Sequence, residues 1–164
     1  MSLAPMVEAL VFRGVLAPDG SIDALREVVE VRLALDLAMT DRVVEGLRGA
    51  DTSDLEAMVA EMNDRASRGE TFLVADRAFH TTLFEATGNL LASQLVGAFW
   101  DVHTAVVPQL DIAVPSDIQL TARAHGDMLD AARRGDRDAY RAAVVEHYGP
   151  LQRSLIQAAE RRSA

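Results

Sequence analysis

The sequence predicts an all-α fold, an antiparallel bundle of six or seven helices joined by short loops. Apolar residues recur at intervals of three and four along most of the 164 residues, which is the period of an amphipathic helix. No stretch alternates polar and apolar residues for long enough to make a strand. Short turns rich in glycine, proline and aspartate divide the chain into segments of helical length, and such connections favour antiparallel neighbours.

The first four helices are defined by the turns between them. The first is short and is closed by Gly14, before the turn Pro18-Asp19-Gly20. Ser21 can cap the second helix, because its hydroxyl can accept a hydrogen bond from a first-turn amide. Gly69 and Gly88 end the third and the fourth, since glycine readily adopts the left-handed conformation found at helix C-termini. The predicted ranges are 4–12, 21–47, 51 or 53 to 67, and 70–86.

The last three helices are bounded in the same way. Pro108 falls near the end of the fifth helix, where a kink or a stop is expected. Asp136 can cap the seventh helix, and the pair Gly149-Pro150 predicts a kink inside it. The predicted ranges are 90–111, 115–135 and 136–161.

The chain divides into a leading segment and one domain. Residues 1–20 hold the short first helix, and Met1-Ser2-Leu3 could be a remnant of cloning. Residues 21–164 form a single helical domain, a length that can bury a substantial core.

The composition limits the classes of function. The net charge is −9 and all 16 basic residues are arginine, so the chain lacks the basic surface with which proteins grip a phosphate backbone. No apolar run approaches the roughly 20 residues that span a bilayer, and the N-terminus does not resemble a secretory signal, so we expect a cytoplasmic protein. Because the chain has no cysteine, any metal site must use nitrogen and oxygen ligands.

Four polar residues occupy positions where apolar side chains are expected. Asp76 and His80 lie one turn apart on the fourth helix, and His125 and His147 lie on the apolar faces of the sixth and seventh. Burying such groups unpaired costs about 1–3 kcal/mol each, and one divalent ion could satisfy all four. The spacing leaves open the alternative that they are core residues with separate partners. The predicted inner stripe of the fourth helix is Leu73, Asp76, His80, Leu83 and Thr87.

The sequence around these residues resembles a known family. Residues 76–89, DRAFHTTLFEATGN, closely resemble the D-x-x-F-H…A-[ST]-G-N signature of the FCD domain, the C-terminal effector-sensing domain of FadR-subgroup GntR transcription regulators. Residues 30–36, EVRLALD, resemble the E-x-R-x-x-L-E helix of that family, with Asp36 where glutamate is more usual. Residues 124–132, then Gly135-Asp136 and His147, resemble its last two helices.

This resemblance implies an antiparallel helical bundle around a central ligand and metal cavity, and a sensor that contains a metal ion. Asp76, His80, His125 and His147 match the ligands of the metal-containing branch, and the implied cofactor is one divalent ion, with zinc or nickel as the first candidates. The implied effector is a small organic acid whose carboxylate completes the coordination. Full-length members bind operator DNA as homodimers through an N-terminal winged helix-turn-helix, for which this sequence has no room.

Two further residues are candidate contacts for the effector. Arg32 lies on or beside the inner stripe of the second helix, and its planar guanidinium suits a second acidic group of the effector. The alternative is an ion pair with Asp36, four residues later. His103 could line the cavity, although a satisfied core or surface histidine fits the sequence equally well. Phe99 and Trp100 are expected to be core or dimer-interface anchors.

Two rival functions use the same residues differently. A metal-dependent hydrolase would need a general base near the ion, and the sequence has neither H-E-x-x-H nor a Glu-x-x-His pair, so we expect no enzyme. A metal-free dimerisation module would instead pack the histidines in its core. The sequence favours the carboxylate sensor over both.

Overall fold

The computed structural model describes residues 3–16, 21–106 and 117–163, and these residues form seven α-helices without a strand. The all-α class is therefore confirmed. None of the described helices is both long and apolar enough to cross a bilayer. The helices are α1 (Ala4–Leu16), α2 (Ser21–Leu47), α3 (Ser53–Ser67), α4 (Leu73–Glu85), α5 (Leu90–Val106), α6 (Ile118–Arg134) and α7 (Arg137–Ser163).

The two longest helices, α2 and α7, organise the bundle. They pack against each other, and α2 also contacts α5 and α6. α6 packs between α7 and α3, whereas α4 packs between α3 and α5. The buried apolar side chains form one core that reaches all of α2 to α7. The facing sides of α2, α4, α6 and α7 therefore meet near the centre of the molecule.

The start of α4 differs from its predicted start near residue 70. Gly69 adopts a positive φ of 71°, and the Glu70 amide donates to the Arg65 carbonyl, so residue 70 belongs to the C-terminal turn of α3. α4 therefore begins at Leu73, whose side chain is 43% exposed. The prediction that Leu73 faces inward is wrong, while Asp76, His80 and Leu83 of the same stripe are buried.

Other helix ends follow the sequence more closely. α1 continues through Gly14 to Leu16, because one interior glycine costs only about 1 kcal/mol and α1 packs against α2 and α5. Asp136 caps α7 as predicted, since its carboxylate accepts a hydrogen bond from the Ala139 amide. α7 is continuous through Pro150, so the pair at 149–150 does not interrupt it. The predicted end of the fifth helix at 107–111 and the start of the sixth at 115–116 lie outside the described residues.

A glycine permits one close contact between helices. A Cβ atom on Gly46 of α2 would lie 2.1 Å from the carbonyl oxygen of Ala86, the residue that ends α4. Because the obstacle is backbone, only glycine fits without a shift. This contact sets how closely the end of α4 approaches α2.

Candidate metal centre

The four residues singled out in the sequence lie together in the core. One ligand atom from each of Asp76, His80, His125 and His147 lies within 4.8 Å of all the others. His80 and His125 are fully buried, and the other two are nearly so. Three helices contribute to this cluster, α4 with two residues and α6 and α7 with one each. We call these four residues the Asp-His cluster.

Local structure explains how each side chain reaches the cluster. Asp76 and His80 are four residues apart on α4, and this spacing places side chains on one face of a helix. Phe79 is fully buried, and its ring edge packs against both His80 and His125, with centroids 5.7 and 5.0 Å away. The ring centroids of His125 and His147 are 4.4 Å apart. Aromatic packing therefore fixes the orientation of the imidazoles.

The hydrogen bonding of His125 indicates a cation between its ring and Asp76. Its Nδ1 lies 2.8 Å from the carbonyl oxygen of Thr121 and must donate a proton to it. In a neutral ring, Nε2 then carries a lone pair, and that lone pair faces Asp76 Oδ1 at 3.0 Å. Two electron-rich atoms at this distance require a shared positive charge. A second proton on the ring or a metal ion would supply it.

His80 and His147 also place two ring nitrogens in close contact. Their Nε2 atoms are 3.1 Å apart, and His80 Nε2 is also 3.3 Å from Asp76 Oδ1. Both Nδ1 atoms are buried without a hydrogen-bond partner among the described residues. A proton shared by the two Nε2 atoms, or an ion bound to both, would relieve this contact, and either one leaves the two Nδ1 atoms unpaired.

The closest donor pairs have the spacing of ligands around one metal ion. Ligands about 2.1 Å from one ion, at tetrahedral or right angles to each other, are about 3.0–3.4 Å apart. The closest donor pairs in the cluster are separated by 3.0, 3.1 and 3.3 Å. Nitrogen and carboxylate oxygen donors suit zinc and other divalent transition metals. The Asp-His cluster is thus a buried group that could hold a divalent metal.

Burial and charge keep the donors in the forms that bind metals. Burial lowers the pKa of His80 to about 3 and holds the pKa of His147 well below its ordinary value, so both rings are neutral near pH 7. Burial by itself would raise the pKa of Asp76, but the neighbouring imidazoles, His125 foremost, outweigh it and bring the pKa below the usual range of aspartate. Neutral imidazoles and an ionised carboxylate are the forms that ligate a metal.

Arg32 of α2 is buried and forms no close ion pair with a described residue. It is 3% exposed, and no carboxylate oxygen of the described residues lies within the 4.0 Å of an ion pair. Its guanidinium carbon instead lies 4.9 Å from the ring centre of Trp100 and 5.6 Å from that of Tyr148. The alternative ion pair with Asp36 is therefore not formed at this distance. Trp100 is a core residue, as expected, but its ring also supports the arginine.

His103 lies beside Arg32 and Trp100 on α5. Its ring centre is 5.2 Å from that of Trp100, and its Nδ1 is buried without a hydrogen-bond partner among the described residues. Burial, aided by the charge of Arg32, lowers its pKa to about 4. His103 is therefore a buried neutral histidine with one unsatisfied nitrogen.

The comparison with protein families agrees with this arrangement. The FCD domain family model matches residues 27–149, about three quarters of the chain. The chain belongs to the FCD domain family. The matched span contains the Asp-His cluster as well as Arg32 and His103.

Three proteins that are similar to this FCD chain are described as transcription regulators. NedR of Micromonospora viridifaciens, described as a transcriptional regulatory protein, is 43% identical over 108 residues, which are 66% of this chain and 78% of NedR. Regulatory proteins of the L-lactate dehydrogenase operon from Escherichia coli K12 and Shigella flexneri are each 32% identical over 136 residues, 79% of this chain. The chain spans about half, 49%, of the length of these two proteins. No solved structure matches the chain.

Reasoning from the sequence missed Tyr148 and its bond to Asp36, near the centre of this FCD domain. Tyr148 donates a hydrogen bond of 2.6 Å to Asp36 Oδ2, and both residues are buried. The available signal was weak: Asp36 follows Arg32 by one turn, and Tyr148 follows His147. The tyrosine ring also packs edge-on against the ring of His147, with centroids 4.8 Å apart.

The predicted central cavity of the FCD domain stays a prediction. Two grooves lie elsewhere: one of about 140 Å³ lies between α1, α2 and α5, and one of about 450 Å³ lies between α1, α4 and α5. Neither groove is lined by the Asp-His cluster or by Arg32.

Proposed function

We propose that this chain is the effector-sensing domain of a GntR-type transcription regulator, and that it binds a small carboxylate with the help of one divalent ion. The observation that carries the proposal is the convergence of four buried donors within 4.8 Å of one another. Membership of the FCD family and the descriptions of the relatives support the regulatory role.

Each site residue has a separate task in this proposal. Asp76, His80, His125 and His147 hold the ion, with zinc or nickel as the first metals to try. The bound ion would offer its remaining coordination positions to a carboxylate of the effector. Arg32 receives a second acidic group, because a buried guanidinium that forms no close ion pair with a described residue is stabilised by an anion. His103 supplies a hydrogen bond through its unsatisfied nitrogen.

Regulation requires a partner domain. We propose that a winged-helix domain of the full-length regulator binds the operator as part of a homodimer, and that effector binding changes its affinity for DNA. The effector can do so only if it binds two conformations of the protein with different affinities. Because two relatives are described as regulators of an L-lactate dehydrogenase operon, L-lactate is among the first acids to test.

Calorimetric titration of metal-loaded protein tests the proposal. The chain, loaded with zinc or nickel, is titrated with L-lactate, succinate, malate and citrate, and the titration is repeated after chelation. We expect saturable heat with at least one acid, lost in chelated protein. The variant Arg32→Met should bind acids with two carboxylates at least tenfold more weakly, since an ionic hydrogen bond contributes about 1.5–3 kcal/mol.

Arg26→Met is the matched control. Arg26 lies on the same helix, but it is exposed and pairs only with neighbouring surface carboxylates. Its replacement should leave effector affinity unchanged. Equal binding by metal-loaded and chelated protein would contradict the role of the metal, and absence of binding to every acid would contradict the sensor.

A further inference from the structure

The buried pair of Asp36 and Tyr148 determines the environment of Arg32. Asp36 lies one turn after Arg32 on α2, and residues at this spacing are side-chain neighbours that readily form ion pairs. The pair is nevertheless not formed within 4.0 Å. The Asp36 carboxylate instead accepts the hydrogen bond from the Tyr148 hydroxyl on α7, at 2.6 Å.

The consequence is a guanidinium that donates no hydrogen bond to another described residue. A guanidinium has five N–H donors and no acceptor. Arg32 is buried, its charge rests against the faces of Trp100 and Tyr148, and none of its donors has an acceptor among the described residues. A cation over an aromatic face is stabilised without using its N–H groups, so these remain available to an anion.

We propose that Tyr148 is a positioning residue: by holding Asp36 away from Arg32, its hydroxyl keeps the guanidinium available for the second carboxylate of a two-acid effector. The inference rests on the proposed function and narrows its ligand class to small dicarboxylates, such as succinate or malate. One carboxylate goes to the metal centre and the other to Arg32. A monocarboxylate uses the metal centre alone.

Removal of the Tyr148 hydroxyl should let Asp36 pair with Arg32 and so block the binding of an effector carboxylate there. In Tyr148→Phe the Asp36 carboxylate loses its donor while remaining buried beside a buried guanidinium. Two buried opposite charges pair when nothing else satisfies them. Because Asp36 is attached to the same helix as Arg32, it competes with any ligand in solution at a high effective concentration. Asp36→Asn removes this competitor, since an amide carries no charge.

Calorimetry on four forms of the nickel- or zinc-loaded chain tests the inference: wild type, Tyr148→Phe, Asp36→Asn, and the double variant. We expect Tyr148→Phe to bind succinate at least tenfold more weakly, with acetate binding and metal content unchanged. The double variant should recover succinate affinity to within threefold of wild type. If the Tyr148 hydroxyl contributed only to packing, Asp36→Asn would not restore the succinate affinity of Tyr148→Phe. Unchanged succinate affinity in Tyr148→Phe, or no recovery in the double variant, overturns the inference.

A crystal structure of metal-loaded Tyr148→Phe tests the same point without any effector. We expect an Asp36 oxygen within 4.0 Å of an Arg32 nitrogen, the limit that the wild-type pair exceeds. An Asp36 side chain that stays beyond this limit overturns the inference. If metal-loaded wild type binds neither succinate nor acetate, the proposed function fails, and the crystal structure alone then decides the role of Tyr148.

Discussion

The pKa values of two buried aspartates of this domain are shifted in opposite directions. Burial raises the pKa of Asp36 to about 6, because Arg32 and the Tyr148 hydroxyl offset it only in part. Asp76 is equally buried, yet its pKa lies below the usual range because three imidazoles surround it. The same residue type is therefore a carboxylate that is hard to ionise in one place and a readily ionised one in the other, the form that a metal would require.

The pKa of Asp36 predicts a pH dependence of stability. Because the folded state binds this proton more tightly than a free aspartate with a pKa of 3.8, the contribution of Asp36 falls as the pH rises from 3.8 and is lost above about 6. The free energy of unfolding of wild type, relative to Asp36→Asn, should therefore decrease across this range and level off above it. Urea unfolding of both chelated proteins at several pH values measures the difference. The groups facing Asp36 are Arg32, Tyr148, Asp76 and His125.

A difference that stays constant with pH would contradict the raised pKa of Asp36. A difference that grows with pH would mean that the charge of Arg32 dominates over burial.

At the scale of helices, the sequence predicts where each helix begins and ends better than it predicts which side chains of different helices touch. The period of three and four and the capping residues locate α2 and the start of α7 to within a residue, because these signals are local. The stripe positions of His125 and His147 likewise indicate that both face inward. The bond between Asp36 and Tyr148 joins residues 112 apart in the chain and depends on how α2 crosses α7, which local patterns do not encode.

The contact at Gly46 gives a prediction at this scale. Gly46→Ala places a Cβ 2.1 Å from the Ala86 carbonyl oxygen, so α2 or the end of α4 must move, at a cost of about 1–3 kcal/mol. Gly97→Ala is the matched control, because Gly97 is also inside a helix and its nearest atom is the tip of Arg77, 3.9 Å away. There the gain in helix propensity should stabilise the protein by about 0.5–1 kcal/mol.

Urea unfolding of the two alanine variants and wild type measures both effects. We expect the free energy of unfolding to fall in Gly46→Ala and to rise in Gly97→Ala. If Gly46→Ala is as stable as Gly97→Ala, the helices do not approach each other as closely as described.

For the whole molecule, the Asp-His cluster links α4, α6 and α7 at the centre of the bundle. Residues separated by up to 71 positions contribute to it, and the neighbouring Arg32 adds α2. The family signature singles out these four residues as candidate ligands from sequence, because it fixes residue types at fixed positions. It does not reveal the unpaired nitrogens or the aromatic support of Arg32, which depend on side-chain orientation.

Because the Asp-His cluster joins three helices, metal binding and the stability of the bundle should be coupled.

Thermal unfolding tests this coupling. A ligand that binds only the folded state, at 100 times its Kd, stabilises by about 2.7 kcal/mol, which for a chain of this size corresponds to roughly 5–10 °C in Tm. Chelation should lower the Tm of wild type by about this amount and should leave the Tm of His147→Ala unchanged. Equal effects of chelation on both proteins would assign the stabilisation to another site.

Plasma mass spectrometry of the purified protein tests the central claim most directly. His80→Ala and His147→Ala remove two ligands, and His103→Ala is the control, since His103 is a buried histidine outside the Asp-His cluster. We predict about one divalent metal per chain in wild type and in His103→Ala, and none in the other two variants. Wild type that holds no metal after incubation with zinc, nickel and manganese would contradict the account.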